Sequence, residues 1–352
     1  MKKALSLTLA AAMAVTLFSG CQTGGTAKKG YASKINFFQW TEYTPQSVLD
    51  GFKKKYGITV KMSYFSSSEE CVSKLKAGGL SQYDVAVPSC YSIKAMIAQN
   101  LIEKIDKNQI PNFKNLDASC INRDFDKGNQ YTVPYMLSPC VLVVNTKKVK
   151  IPIKTLNDLL DPSLKNKIVV VDDERPILGL ALKALGFSIN DQKASDLDKA
   201  LIWLKSFKPN VKVFDSDSPK TSLISGDCTI GYIYNGEASL AMQANKDLKV
   251  VWPAEGLASL TVDNLVLVKG TKHKTEAELF MNYILDKKVS AEITAAYPYT
   301  NPNRAAHSLL GKTYLESDAI NIPWDKIKKA ELIDDVGNTL TKYDDVWSTF
   351  KS

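Results

Sequence analysis

The chain has 352 residues and lacks most of the parts from which metal and hydrolytic sites are built. It has only two histidines, His273 in GTKHKT and His307 in NRAAHSLL, and neither stands near a cysteine or an acidic cluster, so no metal is expected. There is no CxxC. With Cys21 set aside, Cys71, Cys90, Cys120, Cys140 and Cys228 form an odd set, which fits small buried residues with at most one pair better than a disulfide framework. GxSxG is absent, no SxxK stands beside a partner motif, and neither histidine neighbours a nucleophile. The lysines are spread along the chain, with no basic block interleaved with aromatics, so nucleic acid is not expected as a partner. No short-period repeat and no long Gly/Ser linker is visible.

At 45% hydrophobic and 23% charged residues, a chain of this length buries a large core and is expected to divide into two lobes. The first twenty residues stand apart. Lys2 and Lys3 precede an apolar run from Ala4 to Phe18, too short to span a bilayer comfortably, and Ser19 and Gly20 lead to Cys21. Residues 1–20 are thus expected to be a secretion signal of the lipoprotein kind, with Cys21 as the lipidated residue. Phe18 departs from the usual leucine of such a lipobox, and a plain signal peptide cut nearby is the alternative. Residues 21–30, rich in Gly, Thr and Lys, would be a tether holding the body at the cell envelope, either on the outer face of the cytoplasmic membrane or in the periplasm. Without Lys2 and Lys3 the formal charge falls from +8 to +6, a surplus that attraction to anionic lipid accommodates.

From Lys34 strands and helices alternate. INFFQW reads as a strand, followed by a helix with Thr44 as N-cap, Pro45 as first helical residue, Val48, Leu49, Phe52 and Tyr56 on one face, and Gly57 as stop. ITVKMSYF, SSSEECVSKLKAGG and YDVAVPSCYSIKAMIAQN continue the succession. A second unit begins near Asn166 with KIVVVDDERPILGLALKALG, followed by CTIGYIYNGEASLAMQAN, KVVWP and SLTVDNLVLV. The pattern predicts an α/β protein of two lobes, each a mainly parallel sheet covered by helices, with a ligand cleft between them.

In such sheets ligands bind beyond the carboxyl ends of the strands. The strand ends here carry Trp40-Thr41-Glu42-Tyr43, Pro88-Ser89-Cys90-Tyr91, Asp172-Asp173-Glu174-Arg175, Tyr234-Asn235-Gly236-Glu237 and Asp263-Asn264. Singly, an aromatic at a strand end is usually packing and an aspartate in a βα turn is usually a cap. Jointly they suit an alkylammonium, whose charge is attracted to ring faces and whose ends take charge-assisted hydrogen bonds from carboxylates.

WTEY, YDVAVPSCY, IEKIDK, NFKNLD, YTVPY, VVWPAEG and AYPYTNPN, in register from about Lys34 to the carboxyl terminus, resemble the bacterial spermidine/putrescine-binding proteins of polyamine ABC transporters. The resemblance implies a two-lobed periplasmic-binding fold (type II) that closes on its ligand by hinge motion. It implies no catalysis and no cofactor, a monomer, and ABC permease subunits as partners. One lobe would combine residues 31–137 and 264–323, the other 138–263 and 324–352, with crossings at Leu137-Ser138, Asp263-Asn264 and about Pro323-Trp324.

Residue by residue, the resemblance assigns ligand contacts to Trp40, Thr41, Glu42 and Tyr43 in the first turn, to Ser89 and Tyr91 in the second, and to Asp173, Ser216, Asp263 and Tyr297. The departures are Cys90 for a usual Thr, Pro176 for a second acid, Tyr234 and Thr261 for tryptophans, and Ile333 for a C-terminal Gln contact. Glu237 stands where putrescine-preferring relatives carry an acid, although the same position suits an acidic residue at a helix start. A polyamine is expected, with a diamine favoured over spermidine. The alternatives are another small solute, such as an amino-acid derivative or an anion with Arg175 as its candidate partner, and a lipid-anchored enzyme using paired acids.

Overall fold

The computed structural model describes residues 30–322, 326–327 and 330–352, so Cys21 and the crossing expected at Pro323-Trp324 lie outside the described residues. Two sheets organise the chain. The first contains β1 (Lys34–Trp40), β2 (Thr59–Phe65), β3 (Val85–Ala86), β4 (Ile102–Glu103), β5 (Thr132–Leu137) and β11 (Val262–Val268), in the order β2-β1-β3-β11-β4 with β5 also paired to β11. The second contains β6 (Cys140–Asn145), β7 (Ile168–Val170), β8 (Val211–Phe214), β9 (Ile230–Tyr234) and β10 (Leu248–Val251), in the order β10-β6-β9-β7-β8.

The first strand shows why helices cover both faces. Ile35 and Phe37 point into one core, where Phe37 meets Phe280 edge to face, while Phe38 points into the other against Phe65 and Tyr83. A strand apolar on both faces belongs in the middle of such a sandwich. Helix α1 (Gln46–Tyr56) buries Val48, Leu49 and Phe52, each side chain contributing roughly 1.5–3 kcal/mol, and it ends at Gly57 in the left-handed conformation with φ 76°. The expected cap is not used. Pro45 is the N-cap residue, and the Thr44 hydroxyl donates instead to Gln39 Oε1 at 2.7 Å and meets the Tyr135 hydroxyl at 2.7 Å, because Thr44 is buried where those groups need a partner.

The sheets are more mixed than the alternating pattern suggests. β1 is parallel to β2 and β3, and β7 to β8 and β9, but β11 runs antiparallel to β3, β4 and β5, and β6 runs antiparallel to β9 and β10. The antiparallel strands are those beside the passages between lobes. β5 ends at Leu137 and β6 begins at Cys140 in the other sheet, and β11 brings the chain back after β10. A strand that returns from the far lobe enters its sheet in the opposite sense. All seven residues of β11 are buried, and its register with β5 shifts between Asp263 and Asn264. Such a bulge re-aims a side chain.

The other elements that position the cleft are helices α2 (Ser68–Lys76), α3 (Cys90–Ala98), α4 (Glu174–Ala184), α5 (Ala194–Phe207), α6 (Lys220–Ser225), α7 (Asn235–Ala244), α8 (Lys274–Ile284), α9 (Lys287–Ala296) and the carboxyl-terminal α10 (Leu340–Lys351). The five described cysteines are buried free thiols that serve as packing residues.

Candidate functional site

The carboxyl ends of the strands of both sheets face each other across a cleft. Four carboxylates line it: Glu42 after β1, Asp217 after β8, Glu237 in the first turn of α7, and Asp263 at the bulge in β11. Trp40, Tyr43, Phe65, Tyr234 and Tyr299 supply rings, and Thr41, Ser66, Ser89, Ser138, Ser216 and Thr261 supply hydroxyls. Among the described lining residues there is no Lys, Arg or His.

Asp263 is the most deeply placed acid, only 3% exposed. Ser89 donates to its Oδ1 at 2.5 Å, and Tyr43 and Ser138 donate to its Oδ2 at 2.5 and 2.7 Å. Burial raises its pKa, and the three hydroxyl donors oppose that rise. Those donors come from both sides of the passage between lobes, so one carboxylate ties the first turn, the second turn and the crossing together. A carboxylate has about four lone-pair sites, which leaves room for a cationic donor from the cleft.

The first turn is shaped for exposure to a ligand. The Trp40 indole N–H donates to the Val87 carbonyl at 2.9 Å and its ring meets Phe65 at 4.7 Å, which fixes the plane of the indole. Glu42 adopts φ 48°, a conformation uncommon for a residue other than glycine, and its carboxylate projects to the mouth. Tyr43 packs edge to face on Tyr135 and Tyr299. Thr41 donates to Asp217 of the opposite lobe at 3.1 Å. The Ser216 hydroxyl is buried, unpartnered and on the cleft wall, as a group awaiting a ligand contact would be.

Three residues assigned from the resemblance are not among the lining residues, although Tyr297 lies close enough to Glu42 and Lys220 to feel both charges. Asp173 does not line the cleft. It caps α4 and accepts the Tyr234 hydroxyl at 2.5 Å, so it fixes the ring that does line the cleft, and burial raises its own pKa. Tyr91 is buried beside Ile189 and Ile333, with the Arg175 guanidinium 5.6 Å from its ring. Tyr297 caps the end of α9. A tight turn closed by Tyr299 N–H to the Tyr297 carbonyl at 2.8 Å carries the chain past it and brings Tyr299 to the wall. Of the departures, Thr261 lines the cleft, whereas Ile333 is enclosed with Tyr91. Arg175 donates to the Asp334 carbonyl and to Asn190 Oδ1, both at 2.9 Å, and stacks on Tyr343, so it offers nothing to an anion in the cleft.

Sequence reasoning missed Phe65, Ser66, Ser138, Asp217, Tyr299 and Lys220. Ser138 and Asp217 adjoin positions already singled out, and Tyr299 lies in the same AYPYTNPN stretch as Tyr297. Lys220 gave no signal. Its ammonium, on the first residue of α6, lies 2.9 Å from Glu42 Oε2 and 2.9 and 3.0 Å from the two oxygens of Glu237. Burial opposes its charge, but the two carboxylates outweigh that and raise its pKa.

The family model of bacterial extracellular solute-binding proteins matches residues 47–318. A spermidine/putrescine-binding periplasmic protein of Salmonella typhimurium is 34% identical over 319 residues, covering 90% of this chain and 91% of that one. Among solved structures, the spermidine/putrescine ABC transporter substrate-binding protein PotD of Streptococcus pneumoniae is similar with a TM-score of 0.78 at 30% identity, over 91% of this chain and 99% of its own. A PotD lipoprotein of Treponema pallidum is similar with a TM-score of 0.82 at 28% identity, over 90% and 99% of the two chains.

Proposed function

Since the chain belongs to the bacterial extracellular solute-binding proteins, and among them to the spermidine/putrescine-binding family, we propose that it captures a polyamine between its lobes and delivers it to the permease subunits of an ABC importer. The observation that carries this reading is the cleft itself, lined by four carboxylates and five aromatic rings from both lobes with no cation among its described lining residues. Lys220 answers Glu237 and one oxygen of Glu42, and an alkylammonium would supply the charge that Asp263, Asp217 and the other Glu42 oxygen still lack. Ring faces contribute roughly 0.5–2 kcal/mol per good cation contact, and carboxylates fix the ammonium ends. The protein works by binding and release, without catalysis or a cofactor, and as a monomer.

Lobes made of residues 31–137 with 264–323 and 138–263 with 324–352 would rotate about their crossings, and the ligand would favour the closed arrangement by touching both. The permease would then recognise the closed shape. Cys21, outside the described residues, would anchor the protein at the envelope. No described helix is long and apolar enough to cross a membrane. A lipoprotein of this type in Treponema pallidum supports the anchor.

The test is a calorimetric and thermal-shift panel on the purified full chain with putrescine, cadaverine, spermidine, spermine, betaines, amino acids, phosphate and sulfate. A diamine or triamine at a hundred times its Kd should add about 2.7 kcal/mol of stability. Stabilisation by an anion or amino acid, with none by any polyamine, would refute the proposal. The anion reading has lost its candidate partner, since Arg175 is engaged elsewhere.

A further inference from the structure

We infer that Lys220 is a tethered ammonium that fills one cation position of the cleft and thereby sets a preference for a diamine over a triamine. The inference rests on the polyamine reading and deepens it. A lysine side chain ends as a polyamine does, in an ammonium on an alkyl stem. Here that ammonium is gripped by Glu42 of the first lobe and by both oxygens of Glu237 of the second. The Lys220 side chain is 18% exposed and that of Glu237 is 6%, so the pair is an interior one that solvent screens little.

Three anionic positions then remain for a ligand. Asp263 lies at the base, and Asp217 and the second oxygen of Glu42 lie toward the mouth, the Glu42 side chain being 52% exposed. A diamine places one end at Asp263 and the other at the mouth. With Asp217 and Glu42 both at the mouth and serving one ammonium, a triamine needs a third separate position, and the carboxylate of the far wall, Glu237, is already satisfied by Lys220. Glu237 therefore serves the site indirectly, by holding the lysine that blocks the longer ligand.

Replacing Lys220 by Met keeps the apolar stem and removes the charge. Glu237 is then a buried carboxylate without its cation, a costly state that a ligand ammonium or a proton relieves. The measurement is Kd for putrescine and spermidine by titration calorimetry, on the wild-type full chain, Lys220→Met and Lys220→Arg. The wild type should bind putrescine more tightly. Lys220→Met should shift the affinity ratio toward spermidine by tenfold or more, and Lys220→Arg, which keeps a charge at the same place, should shift it by less. Loss of a nearby positive charge alone favours the more highly charged ligand somewhat, so any shift below tenfold in Lys220→Met counts against the inference. Where Lys220→Met does not fold, the wild-type order decides, and spermidine binding more tightly than putrescine overturns it. If none of the three proteins binds either amine, the polyamine reading itself falls and this inference falls with it.

Discussion

The two walls of the cleft are built on opposite principles. On the first-lobe side Trp40, Glu42 and Tyr43 stand in one short turn and present their ring faces and a carboxylate to the space between lobes. On the second-lobe side the charges have partners of their own. Asp173 is turned onto Tyr234, Glu237 is paired with Lys220, and Arg175 is directed at Asn190 and the Asp334 carbonyl. The first wall keeps one Glu42 oxygen open beside the one that Lys220 grips, whereas on the second wall Glu237 is held through both oxygens. The difference suggests that the first lobe recognises and the second closes and discriminates.

Asp263 is the place to break that comparison hardest, because it belongs to both walls. Asp263→Asn keeps an acceptor and the size of the side chain but removes the charge, and a buried charged contact is worth roughly 2–5 kcal/mol. Polyamine affinity should fall about a hundredfold or more, with the melting curve showing that the fold is kept. A Kd within threefold of wild type would remove Asp263 from the binding site.

Gly236 tests closure instead of charge. A Cβ there would lie 2.9 Å from the Tyr299 ring, and Tyr299 belongs to the opposite side of the cleft. Gly236 is the second residue of α7, so the change to alanine is locally favourable by less than the roughly 1 kcal/mol of a helix interior. Gly236→Ala should therefore leave the second lobe at least as stable, yet weaken binding about tenfold, a loss of about 1.4 kcal/mol, and expand the ligand-bound particle in small-angle scattering. Unchanged affinity would mean that the Tyr299 ring gives way and does not set the closed position.

What was legible in the sequence follows the same division. WTEY could be read because its function is local: the strand end and the helix start fix where the side chains go. The buried strand INFFQW and the stop at Gly57 were legible for the same reason. The orientation of Asp173 was not, since it depends on a tyrosine 61 residues away, and the pairing of Lys220 with Glu42 spans 178 residues. The reversed direction of β11 escaped as well. Strand periodicity carries no sign of direction, and only the return of the chain from the other lobe sets it. The tight turn that brings Tyr299 to the wall after Tyr297 was not legible either.

The smallest expected effect on binding lies behind the second wall, at Glu174. Burial raises its carboxyl pKa to about 9, reinforced by a hydrogen bond to Asp344 on α10. The folded protein thus holds this proton more tightly than the unfolded chain does. Between about pH 4.5 and 9 unfolding releases it, so its contribution to stability is full below the ordinary carboxyl range and is lost as pH rises toward 9. Each pH unit in that window removes at most about 1.4 kcal/mol, and relaxation around a partly accessible group reduces this further. Glu174→Gln keeps a donor to Asp344 without the titration. It should match the wild type near pH 5 and exceed it by about 1–2 kcal/mol at pH 8 in urea unfolding. Polyamine affinity should stay within twofold, because Glu174 does not line the cleft. If the two proteins instead lose stability in parallel between pH 5 and 8, the proton is held elsewhere in the second lobe, with Asp173 the next residue to substitute, since burial raises its pKa as well.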